Sequence, residues 1–100
     1  MDGVSRKELD AIVGRINRIL GMPDTPYVMN IVTGKYETQV GNYHLDEMYG
    51  GWSLCRIVNG SGGVSTVIGR SSKRETRDRL HAFIAGINAS RQQGINELIV

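Results

Sequence analysis

Cysteine is all but missing from this chain: Cys55 is the single thiol in 100 residues. One thiol excludes an internal disulfide and a cysteine-built zinc cage. Inside WSLCRIV it reads as a small buried apolar residue. No apolar run approaches the ~18 residues of a membrane span, and the first ten residues, MDGVSRKELD, are polar from the start. An excess of one charge is lacking too. Twelve Lys and Arg stand against ten Asp and Glu, a formal +2. Net charge alone therefore supplies no affinity for nucleic acid; a local patch would have to. There is no internal repeat and no low-complexity segment. The expectation is one domain over residues 1–100, cytoplasmic, with no membrane partner and no cofactor.

Glycine, by contrast, is plentiful, at 13 residues clustered mostly between 34 and 69, which suggests repeated turns between short strands. Before them, Ser5-x-x-Glu8 is a capping box. Leu9, Ile12, Val13, Ile16, Ile19 and Leu20 follow at three- and four-residue spacing, which predicts a helix over roughly 6–20, stopped by Gly21 and Pro23. The period then changes. YVMNIV (27–32), YETQV, NYHLDEM, WSLCRIV (52–58) and VSTVI (64–68) read as strands. Thr33-Gly34-Lys35, Gly50-Gly51 and NGSGG (59–63) supply the turns, and Gly41 a bulge or kink. WSLCRIV is apolar on both faces and so reads as central. Ser72-x-x-Glu75 repeats the capping box and opens a second helix with the stripe Thr76, Leu80, Phe83, Ile84 and Ile87. The fold expected is α+β: a three- to four-stranded antiparallel sheet flanked by an N-terminal and a C-terminal helix, both on one face. Residues 91–100 stay open: a longer helix, an edge strand or a partner-binding tail.

The densest chemistry is GRSSKRETRDRL. Arg70, Lys73, Arg74, Arg77 and Arg79 lie within ten residues. At 100° per residue, Lys73, Arg74, Arg77 and His81 share an arc of roughly 100°. Lys73 and Arg74 also sit where free backbone amides and the helix dipole attract anions. One reading is a phosphate-binding site of Arg70, Ser72, Lys73, Arg74 and Arg77, for nucleic acid or a nucleotide. The other is a solvated helix face, with Glu75 and Asp78 as counter-charges. NGSGG joins two strands rather than a strand and a helix, so it reads as a hairpin loop, not a phosphate cradle. His44 and Asp46 share a strand face, yet two ligands do not close a metal site. Cys55 with a histidine lacks a third, orienting group, so no catalytic residue is assigned and no enzyme is expected. Tyr36, Tyr43, Tyr49 and Trp52 read as hairpin packing. Any that face outward would mark a stacking or protein-binding surface.

The order helix, three strands, helix, with Gly69, Ser72, Lys73, Arg74 and Arg77 opening the last helix, resembles the double-stranded-RNA-binding domain. In that family a serine and a lysine-rich segment at this place contact phosphates. Thr76 stands where that family has a small alanine, and Gly50-Gly51-Trp52 has no counterpart there. Over residues 43–87 the chain also resembles a group of short uncharacterised proteins encoded by tailed phages and prophages. Tyr49, Gly50, Gly51, Trp52, Leu54, Asn59, Gly62, Gly63, Lys73, Arg74 and Phe83 carry that likeness. It implies an accessory phage protein and no particular activity. Two functions are thus expected as alternatives: a non-catalytic binding module for a phosphate-bearing ligand, or a protein–protein interaction protein, oligomeric or bound to a host factor.

Overall fold

The computed structural model describes residues 3–99, with side chains through residue 94. The first helix, α1, spans Arg6–Leu20. Ser5 is extended and its Oγ accepts the Glu8 amide at 3.1 Å, so one otherwise unpaired donor of the first turn is satisfied. At the other end Gly21 adopts φ 68°, a left-handed conformation that glycine enters without a Cβ penalty. There the Met22 amide donates to the Asn17 carbonyl at 2.8 Å, closing the helix.

Five strands follow: β1 Tyr27–Asn30, β2 Lys35–Thr38, β3 Tyr43–Met48, β4 Gly51–Ile57 and β5 Val64–Ser71. They form two antiparallel sheets, a β1–β2 pair and a three-stranded β3–β4–β5 sheet with β4 in the centre. The division falls at Gly41, whose φ is 95° and where a Cβ would come within 2.6 Å of the Met22 sulfur. Strand runs that look continuous in sequence are therefore cut into a separate hairpin and a sheet.

The second helix, α2, spans Lys73–Ile99. Its backbone stays helical past Gly94, about 40 Å in all at 1.5 Å per residue. Residues 91–99 thus prolong the helix, whereas Val100 and the side chains of 95–99, which carry the expected apolar tail, lie outside the described residues. The helices pack against each other, α1 over β3 and α2 over β4 and β5. One core cluster joins Leu9, Ile12, Val13 and Ile16 of α1 with Leu80 and Ile84 of α2, over Tyr43, Trp52 and Leu54 of the sheet.

A polar clip aligns α1 with the sheet edge. Asn17 is buried on the apolar side of α1. Its Nδ2 donates to the Tyr43 carbonyl at 2.9 Å and its Oδ1 accepts the Tyr43 amide at 2.8 Å. β3 is an edge strand, so these backbone groups have no strand neighbour; the carboxamide pairs with them as another strand would. On the far side the Arg91 guanidinium donates to the Ile19 carbonyl, tying α2 to the end of α1.

Candidate functional site

Ser72 caps α2. Its Oγ accepts the Glu75 amide at 3.2 Å and donates to the Glu75 carboxylate at 3.2 Å. The hydroxyl expected to meet a phosphate is thereby occupied, and a carboxylate already sits at the positive helix end. Glu75 also pairs with Arg79 at 3.8 Å, and Arg77 pairs with Asp78 at 3.5 Å. Lys73 and Arg77 are half-buried beside the stripe of Thr76 and Leu80, and Arg74 is exposed.

Arg70 goes elsewhere. The Ser71 and Thr76 hydroxyls lie 2.8 Å apart, so Ser71 faces α2. β5 is irregular here, three steps from Ile68 to Ser71 facing two from Leu54 to Trp52, and Arg70 lies against Gly51 and Tyr49 instead. Its stem crosses Gly51, where a Cβ would stand 2.2 Å from the Arg70 Cγ, and its guanidinium lies 5.6 Å over the Tyr49 ring. Only glycine leaves room for that crossing. The structure therefore brings Lys73, Arg74 and Arg77 together on one helix flank, separates Arg70 from them and commits Ser72 to the cap.

The other groups singled out in the sequence are quieter. The NGSGG loop joins β4 and β5, and Asn59 Oδ1 accepts the amides of Ser61 at 3.0 Å and Gly63 at 2.9 Å. Those donors are consumed inside the turn. His44 and Cys55 are cross-strand neighbours in β3 and β4, as are Asp46 and Ser53. The His44 Nδ1 has no hydrogen-bond partner. Burial of the ring holds its pKa below the ordinary 6.5, with the Asp46 charge pulling the other way. Among the described residues no three His, Cys, Asp or Glu side chains gather closely enough to hold a metal ion.

What the sequence does not single out is the β1–β2 hairpin. Its backbone is well satisfied. Asn30 Oδ1 accepts the amides of Val32 at 2.9 Å and Thr33 at 3.2 Å, while its Nδ2 donates to Glu37 at 2.8 Å. At the base, Gln39 Nε2 donates to the Thr25 carbonyl and hydroxyl, each at 2.9 Å. Yet the side chains face solvent. At the tip Ile31 is 92% and Val32 90% exposed, and Tyr36, Tyr27, Val28 and Met29 are exposed along the strands. Among the described residues none of these six joins the core cluster or packs on it. The hairpin is an arm: its two strands pair with each other, outside the three-stranded sheet, and its apolar side chains stay off the core. Of the aromatics, Tyr43 and Trp52 turn inward, whereas Tyr27, Tyr36 and Tyr49 turn out.

Two grooves mark the surface of the described residues. One, of about 630 Å³, runs between the end of α1 and α2 and is lined by Leu20, Ala82, Phe83, Gly86, Ile87, Ser90 and Arg91. A smaller one, of about 340 Å³, lies over α1 and β3 near Arg6, Asp10, Asp24 and His44. No family model, curated protein or solved structure matches this chain.

Proposed function

We propose that this chain is a non-catalytic interaction protein whose β1–β2 arm docks onto another protein, in the accessory phage role that the sequence resemblance implies. The observation that carries this reading is the tip, where Ile31 and Val32 stand almost wholly in water on an ordered hairpin. Soluble monomers rarely leave a contiguous apolar patch larger than a few hundred Å² uncovered. Each Å² removed from water contributes roughly 25 cal/mol of gross driving force. An isolated two-stranded hairpin is also marginal by itself, so a partner that covers it stabilises the arm. The test is a photo-crosslinking amino acid placed at Val32 and, as a control, at exposed Arg15 on α1, in cells that carry the protein. Adducts of defined mass from position 32 and none from position 15 are expected. Equal labelling from both, or none from either, removes the reading.

A second reading keeps the phosphate-bearing ligand, nucleic acid or nucleotide, at Lys73, Arg74 and Arg77. Three cations on one flank of α2 favour it; the Glu75 carboxylate at the cap and the distant Arg70 weigh against it. Binding of a nucleic acid would weaken steeply with salt, because each neutralised phosphate releases counterions. Replacing all three cations by alanine should abolish such binding. Wild-type protein that binds no polyanion at low salt would dismiss this second site.

A further inference from the structure

The three-stranded sheet has two outer edges, and they differ. β5 slips register against β4 twice, between Trp52 and Leu54 and between Leu54 and Cys55, and such irregularities blunt an edge against further pairing. β3 runs against β4 without a slip from Tyr43 to Met48. The Tyr43 amide and carbonyl point away from β4, since Asn17 binds both. Antiparallel ladders alternate with a period of two, so the same groups of Leu45 and Glu47 point outward as well. No strand lies beyond them, and among the described residues nothing else pairs with them. Asn17 thus closes the first place on this edge and leaves the next two open. A row of alternating main-chain donors and acceptors is matched by another extended main chain.

The flank of α1 turns this edge into a groove of about 340 Å³, lined by Arg6, Asp10, Gly14 and Asn17 of α1, by Asp24 of the turn after it and by Leu45 of β3. Carboxylates prevail there. Arg6 is shared between Asp10 at 3.6 Å and Glu47 at 3.8 Å, while among the described residues no ion pair engages Asp24. His44 also lines the groove, and burial keeps its ring neutral near pH 7. We infer that the free edge of β3 takes a short, extended, basic peptide as a further strand, its main chain on Leu45 and Glu47 and a lysine or arginine toward Asp10 and Asp24. None of the arm's exposed apolar residues lines this groove, so the two surfaces stand or fail separately.

Titration of the isotope-labelled full chain, followed by its backbone amide signals, tests this with a pool of capped hexapeptides. The pool carries lysine at alternate positions and valine, threonine or serine between them. The Leu45 and Glu47 amides should shift first and saturate. The same pool N-methylated at its four central amides keeps every charge but cannot pair as a strand, and should bind at least about tenfold more weakly. A pool with glutamate in place of lysine should lose as much. Glu47→Pro removes one outward amide while the pairing of β3 with β4 is kept, because proline is tolerated where its nitrogen faces solvent. It should weaken binding of the basic pool by at least about tenfold, and Glu47→Gln, which removes only the charge, by less. No shift at Leu45 and Glu47 with millimolar basic peptide overturns the site. Equal binding of the N-methylated pool, measured on the wild type and so independent of any variant's folding, overturns strand addition. Equal binding of the acidic pool overturns the basic partner.

Discussion

Replacing Asn17 by alanine probes how α1 is held to the sheet. The change strands the Tyr43 amide and carbonyl, which the carboxamide now satisfies at 2.8 and 2.9 Å. A buried backbone group left without a partner costs about 1–3 kcal/mol, so the pair should cost about 3 kcal/mol after partial relaxation. For a domain of this size that corresponds to roughly 12–24 °C in Tm, at about 4–8 °C per kcal/mol. Urea unfolding followed by the fluorescence of Trp52, the single tryptophan and a buried one, reads the loss directly. Asn17→Leu is the decisive companion, because it fills the space but neither donates nor accepts. Both variants should lose a comparable amount, whereas Arg15→Ala on the exposed face should stay within about 0.5 kcal/mol of wild type. Leucine at position 17 matching wild-type stability would refute the clip and reduce Asn17 to a packing residue.

Gly41→Ala should destabilise by about 1–3 kcal/mol, since the residue sits at φ 95° and its new Cβ would crowd the Met22 sulfur; thermal unfolding measures it. Ser72→Ala removes the cap of α2 and should cost about 1 kcal/mol in urea unfolding. The His44 ring has a lowered pKa when folded, so the unfolded chain binds more protons in the interval below 6.5. Stability should therefore fall as pH drops through 6.5 and level off below the folded value. His44→Gln should flatten that part of the profile of urea midpoint against pH, and an unchanged profile would show that the ring contributes nothing.

The two helices were legible because capping boxes and apolar stripes act locally. Ser5 and Ser72 cap the turns their spacing predicts, and the stripes of Leu9 to Ile16 and Thr76 to Ile84 are buried as their period requires. β4 was legible too, since a run apolar on both faces must lie between two strands. Asn17 was not, because an asparagine amid an apolar helix face signals a partner only once the edge strand's position is known. The arm escaped for a related reason. YVMNIV announces a strand by its β-branched and aromatic residues, but composition does not say whether anything covers it. Its outward Tyr36 is a residue that the sequence alone assigns to hairpin packing. At the basic cluster, charge and helical period placed Lys73, Arg74 and Arg77 together, whereas the seat of Arg70 against Gly51 and Tyr49 follows from an irregularity of β5 that no residue pattern announces.

Hydrogen exchange of the peptide 27–40 tests most directly whether the arm is a contact element. Its two strands carry their hydrogen bonds in solvent, so in dilute purified protein the amides should exchange quickly. In concentrated protein, or in an extract of cells that carry it, they should become protected by at least tenfold, while amides of the buried β4 strand exchange as before. Identical exchange of 27–40 in all three conditions would show that the arm meets no partner.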